Sequence, residues 1–176
     1  MPLIAISGTP GTGKSTVSDV LRSRGFTVID GNAHMREKGL LCDRDAARDT
    51  YDVDVDQFSD SLGEYRGSDE TIFVDSHLAH LCDCSYIAVL RCHPDVLAGR
   101  LRARGYGEAK VLENVQAEVL DVILCEATDS DIPVAEFDTT SARPEDTADL
   151  ISRFVGGEAI CPPGTVDWTQ EMEKWF

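Results

Sequence analysis

Residues 8–16 read GTPGTGKST. Gly8, Gly13, Lys14 and Ser15 complete the pattern G-x-x-x-x-G-K-[ST], which here follows an apolar run and precedes a helical one, as a phosphate-binding loop requires. Glycines let backbone N–H groups turn inward around phosphate oxygens, and the N-terminus of the next helix adds positive potential. In such a loop Lys14 reaches the β- and γ-phosphates of a nucleoside triphosphate, and the Ser15 hydroxyl ligates Mg²⁺. A second constellation, VDSH at residues 74–77, puts Asp75 at the end of another apolar run. An acid at the end of a neighbouring strand holds the Mg²⁺ shell in phosphate-loop folds; a helix cap or turn residue is the alternative. His77 then falls near the γ-phosphate, where a neutral imidazole positions water or another oxygen nucleophile; a histidine bonded to backbone is the alternative. His80 reads as structural. Arg100, Arg102 and Arg104 form the densest basic cluster in an acidic chain. Arginines there neutralise a phosphoryl group in transfer, or they are exposed helix charges.

These residues need elements to hold them. Leu3–Ser7 is a short apolar run of the kind found in buried parallel strands. A helix is predicted over 14–24, stopped by Gly25, and a strand over 26–29. Residues 30–56 read as polar and irregular, with a helical turn at 34–38. A helix at 57–65 and strands at 71–74 and 86–90 follow. Pro94 and Asp95 open a helix, broken at Arg104-Gly105-Tyr106-Gly107. Val111, Val115, Val119, Val122 and Ile123 keep the helical period, which predicts one long helix over 110–128. A strand over 134–137 and a helix over 144–154 complete the pattern. Strands alternating with helices specify an α/β fold with a parallel sheet, whose ligands bind at the carboxyl ends of the strands. From residue 156 a linker-like GGEAICPPG leads to an aromatic segment with Trp168, Trp175 and Phe176, expected to lie as a strap on the domain.

Composition excludes several function classes. The 176 residues carry 32 acidic against 16 basic side chains, a net charge of −16. Such a surface repels nucleic-acid phosphates, so direct nucleic-acid binding is disfavoured. It reads as a solvated surface suited to high salt, or as a face that docks a basic protein. No apolar run approaches the ~18 residues of a membrane span. The start, MPLIAISG, has neither a basic region nor a long apolar one, so a cytoplasmic location is expected. Cys42, Cys82, Cys84, Cys92, Cys125 and Cys161 are expected as reduced thiols. Cys82-Asp-Cys84 with Cys92-His93 lacks zinc-site spacing and reads as small buried side chains. The run DVDVDQ fails as an EF-hand, because Gln57 and Gly63 stand where Gly and Glu are needed. It reads as an acidic loop or helix start.

Three stretches together resemble the atypical adenylate kinases of archaea and the eukaryotic nucleus, which are also small-subunit ribosome assembly factors. They are GTPGTGKST, VDSH and VLRCHPDVLAGRLRARGYGEAKVLENVQAEVLDVILCEA. The similarity covers about residues 3–155 and is most specific over 100–126, where R-G-Y precedes a helix carrying N-x-Q-x-E. It implies a P-loop nucleotide kinase domain over 1–155 with a short lid, and a tail over 156–176 outside the similarity. By that resemblance Gly11, Gly13, Lys14, Ser15 and Thr16 bind ATP. Residues 30–53 hold a nucleoside monophosphate, with Arg36 contacting its phosphate. The lid spans about residues 103–113 and brings Arg104 to the ATP phosphates. Asp75-Ser76-His77 matches the family's D-x-H motif, with Mg²⁺ held at Ser15 and Asp75. Ala33 departs from the pattern, which commonly has an acid before its arginine. The implied activity is ATP + AMP = 2 ADP with broad monophosphate specificity and an ATPase activity. A basic small-subunit ribosomal protein is the implied partner. An ATPase assembly switch and a small-metabolite kinase stay open beside it; the latter shares the loop but not the R-G-Y segment.

Overall fold

The computed structural model describes residues 2–45 and 50–176. Its centre is Leu3–Ser7 (β1), five residues with no exposed side chain. Around it lie Thr27–Asp30 (β2), Ile72–Asp75 (β5), Tyr86–Arg91 (β6) and Val134–Asp138 (β7) in one five-stranded parallel sheet of order β2-β5-β1-β6-β7. The pleat explains the apolar runs. Leu3 and Ala5 face one layer, where Met35, Phe58, Val74 and Val89 pack. Ile4 and Ile6 face the other, with Val17, Leu21, Ala148 and Ile151. Strands buried on both faces carry apolar side chains at every position, and each fully buried Leu or Ile contributes about 1.5–3 kcal/mol.

The second layer is covered by Lys14–Ser23 (α1) and Pro144–Val155 (α8), the first by Gly31–Glu37 (α2), Val55–Ser61 (α3) and Val122–Thr128 (α7). A third apolar cluster joins Pro94–Ala103 (α5) to Glu108–Val119 (α6) through Leu97, Leu101, Val111, Val115 and Val119. No described helix is long and apolar enough to cross a membrane.

The structure differs from the sequence reading in three places, and it decides between the two readings of the acidic run. The stretch read as irregular contains α2 and an antiparallel pair, Leu41–Asp45 (β3) with Thr50–Val53 (β4). The signal for the pair was faint, because polar residues interrupt its apolar ones. Asp30 caps α2 by accepting from the Ala33 N–H at 2.9 Å, and Asp54 caps α3 by accepting from that of Gln57 at 3.1 Å. The acidic run is therefore a helix start. The helix read at 57–65 is two short ones, α3 and Gly63–Arg66 (α4), which meet at Leu62. The helix read at 110–128 is broken into α6 and α7 at Asp121, whose φ of 55° is the one positive value among described non-glycine residues.

The tail is a strap, as expected. The Cys161 carbonyl accepts from the Glu136 N–H at 3.0 Å beside the β7 edge, and a last turn, Met172–Trp175 (α9), seats Trp175 on the α5–α6 cluster.

Candidate functional site

All five strands of the sheet point the same way, so Ser7, Asp30, Asp75, Arg91 and Asp138 end on one edge. The phosphate-loop sequence leaves β1 at that edge. Gly8 has φ +142° and a Cβ there would meet the Leu90 carbonyl oxygen at 2.4 Å; Gly11 has φ +94° with Leu97 Cδ1 at 2.8 Å. Side chains are excluded at both by backbone angle and by space. Inside the loop the Thr9 carbonyl accepts from the Thr12 N–H at 3.2 Å and from Thr12 Oγ1 at 2.9 Å. Thr139 Oγ1 donates to the Thr12 carbonyl at 2.5 Å. Gly13 then opens α1, so the free N–H groups of its first turn face the loop.

Lys14 Nζ donates to the carbonyls of Gly8 at 2.7 Å and Thr9 at 3.1 Å. Burial lowers its pKa to about 8; the charges of Asp75 and Glu118 oppose that shift and Arg104 adds to it. Asp75 ends β5 and accepts from Ser18 Oγ at 2.9 Å. Burial raises its pKa, with Lys14 and Ser18 pulling the other way. Burial, helped by the charge of Lys14 and by His80, lowers the pKa of His77 to about 4. The imidazole is therefore neutral at neutral pH and can accept a hydrogen bond.

His80 is structural, as read. Its Nε2–H donates to Glu126 Oε2 at 2.9 Å, which leaves Nδ1 to accept from Ser7 Oγ at 2.8 Å. The buried thiols of Cys82 and Cys84 are pushed up to about 12 and that of Cys92 to about 11, chiefly by burial. They are packed side chains with little thiolate character.

One cavity of about 740 Å³ brings Lys14, Ser15, Arg36, Asp75, His77 and Arg104 together. Gly11 and Gly13 line it too, while Thr16 is exposed on α1 outside the lining. The arginine cluster divides three ways. Arg104 lines the cavity. Arg100 donates to the carbonyls of Gly11 at 3.4 Å and Thr139 at 3.0 Å, bracing the loop from behind. Arg102 turns to the surface and pairs with Glu108 at 2.8 Å. Of the two readings of these charges, the exposed one holds for Arg102. Asn32, Tyr106, Lys110 and Asn114 also line the cavity and were not singled out in the sequence as site residues. Asn114 did carry a signal, as the first member of N-x-Q-x-E.

Hard oxygen donors, the Ser15 hydroxyl and the Asp75 carboxylate, suit Mg²⁺, which binds through one or two protein oxygens plus phosphate and water. Among the described residues no three His, Cys, Asp or Glu side chains cluster as an all-protein metal site.

Comparison with known proteins extends the geometry. The family model described as AAA domain matches residues 4–121. A "Putative adenylate kinase" of Methanothermobacter thermautotrophicus is 45% identical over 169 residues, covering 95% of this chain and 97% of that protein. The protein of the same name in Methanocaldococcus jannaschii is 42% identical over 174 residues, covering 98% and 94%. At 98% of the chain the second match runs past residue 155 and takes in the strap, which the sequence reading left outside the resemblance. Among solved structures, a shikimate kinase from Bacteroides thetaiotaomicron matches with a TM-score of 0.61 at 18% identity, over 88% of this chain and 98% of that one. At that identity the likeness concerns the fold, a parallel sheet flanked by helices around a phosphate loop. The identities of 45% and 42% along nearly the whole length make the chain a member of the family that the two archaeal proteins, each named putative adenylate kinase, represent.

Proposed function

We propose that the protein is a nucleoside monophosphate kinase of the adenylate kinase type, converting ATP and AMP into two ADP with Mg²⁺. The observation that carries this reading is one cavity holding the loop lysine with arginines from two separate segments, Arg36 of α2 and Arg104 beyond α5. Two poles of positive charge suit two phosphate-bearing ligands. Lys14 and Arg104 neutralise the donor, Arg36 orients the acceptor, and the segment carrying Arg104 serves as the lid that excludes water. Bound at Ser15 and Asp75, Mg²⁺ would neutralise charge on the β- and γ-phosphates.

The bond from Pγ to the β,γ-bridging oxygen breaks, and a bond from Pγ to an AMP phosphate oxygen forms. That nucleophile is already ionised near neutral pH, so the transfer needs no general base and tolerates Ala33. Broad specificity is supported by Met35, Leu41, Val53 and Ile123, which offer the acceptor base an apolar wall.

Water is the competing acceptor. Neutral His77 can accept a hydrogen bond from it, and this supports an ATPase activity in the same site. An ATPase that assists maturation of the small ribosomal subunit is the second reading. The net charge of −16 favours it, because such a surface attracts a basic ribosomal protein. Both readings suit a cytoplasmic protein.

The test is product formation from ATP and Mg²⁺ with and without AMP, at high salt. The expected result is two ADP per ATP consumed, without phosphate release, far above the rate with ATP alone. Phosphate release indifferent to AMP would replace the kinase with the hydrolysing switch. Lys14→Ala should abolish both activities; retained transfer would sink the loop assignment.

A further inference from the structure

A fully buried charge lies behind the phosphate loop. Arg91, at the end of β6, is 1% exposed and, among the described residues, the largest of the fully buried side chains. Three carboxylates meet it: Glu118 at 2.8 Å, Glu136 at 2.5 Å, and Asp121. Glu118 and Glu136 are both buried. One guanidinium needs one carboxylate for neutrality, and a further buried carboxylate is costly unless hydrogen bonds saturate it. What those bonds reach shows what the extra charge holds.

Glu118 Oε2 accepts from Thr9 Oγ1 at 2.6 Å. Its Oε1 accepts from the Cys92 N–H at 3.1 Å and from the Trp168 indole Nε1–H at 3.4 Å. Glu136 Oε2 accepts from the N–H groups of Thr165 at 2.8 Å and Val166 at 3.1 Å. The strap therefore reaches the two buried carboxylates at 165–168, and one of them grips the phosphate loop. Thr9 is the knot of that loop, since its carbonyl accepts from Thr12 and from Lys14 Nζ. The motif N-x-Q-x-E thereby gains a meaning. Asn114 lines the cavity, Gln116 Nε2 donates to the Trp175 carbonyl at 2.8 Å, and Glu118 joins loop to strap.

We propose that Glu118 is a positioning residue for the phosphate loop, and that through Thr9–Glu118–Trp168 the C-terminal strap is mechanically part of the nucleotide site. The proposal rests on the loop being that site. A phosphate in the loop competes with the Gly8 and Thr9 carbonyls for Lys14 Nζ, and a change at Thr9 is passed through the short Thr9–Glu118 bond to the indole.

The experiment uses the full chain with Trp175→Phe, which leaves Trp168 as the sole tryptophan, beside the unmodified protein. ADP with Mg²⁺ is titrated, and binding is read by calorimetry and by Trp168 emission. The emission is expected to change saturably with the calorimetric Kd. Glu118→Gln keeps the side-chain shape but removes the charge. It should weaken ADP binding about tenfold and leave Trp168 silent while ADP still binds. Thr9→Val, which removes only the hydroxyl and leaves the buried charges in place, should reproduce both effects even where Glu118→Gln fails to fold. ADP binding with a silent Trp168 in the Trp175→Phe protein overturns the proposal alone, as does Thr9→Val with unchanged affinity and emission. No heat from ADP in the unmodified protein overturns the nucleotide reading beneath it.

Discussion

Arg100, Arg102 and Arg104 occupy alternate positions, and their neighbours give each a different task. Arg100 spends its donors on loop carbonyls, Arg102 on Glu108 at the surface, and Arg104 faces the cavity. Mutation should separate them. Arg104→Ala is expected to lower kcat/KM for ATP about 10²-fold, the scale of losing one donor to a phosphoryl group in transfer. Arg102→Ala should leave it within about twofold, because exposed ion pairs contribute little. Arg36→Ala should raise the KM for the monophosphate and leave ATP hydrolysis largely intact. Steady-state kinetics with AMP varied at saturating ATP, and the reverse, checks all three. An Arg102 variant as impaired as the Arg104 variant would mean that the lid closes around both.

The most informative element is the broken helix. Its apolar period runs unbroken from Val111 to Ile123, and the sequence therefore read as one rod. The two halves pack into different clusters: Val111, Val115 and Val119 face α5, whereas Leu124 and Ala127 face the sheet. Val122, which keeps the apolar period, is 37% exposed at the corner. Asp121 makes the turn in a left-handed conformation and gives its carboxylate to Arg91. Aspartate tolerates that conformation better than most residues because its short polar side chain bonds locally. Asp121→Ala and Asp121→Gly both lose the Arg91 pair, but only alanine keeps the backbone strain. Urea unfolding should find the alanine variant less stable than the glycine variant by about 1 kcal/mol. Equal stabilities would show that packing on either side sets the corner, and not the residue.

Across the whole molecule the governing number is the surplus of sixteen acidic groups. Self-repulsion among them opposes the compact state, and salt screens it, with a Debye length of about 10 Å at 0.1 M and about 3 Å at 1 M. The melting temperature is therefore expected to rise between 0.1 and 1 M NaCl, measured by circular dichroism. A flat response would mean that local ion pairs such as Arg24–Asp149 and Lys38–Glu64 already offset the surplus.

The phosphate loop, the Asp75 strand end and the parallel sheet were legible in the chain alone because each is a local property. Only glycine satisfies the loop angles, and a strand buried on both faces must be apolar at every position. The capped start of α3 was legible in part: the acidic run read as a loop or a helix start, and Asp54, reaching an N–H three residues away, makes it the helix start. The division of the three arginines, the corner at Asp121, the β3–β4 pair and the Thr9–Glu118–Trp168 chain were not legible. Each depends on partners brought close only by folding: Thr9 and Glu118 are 109 residues apart, and Glu118 and Trp168 are 50 apart. A buried carboxylate and an exposed one are the same letter, and only the packing around it settles whether its charge is solvated or holds a loop.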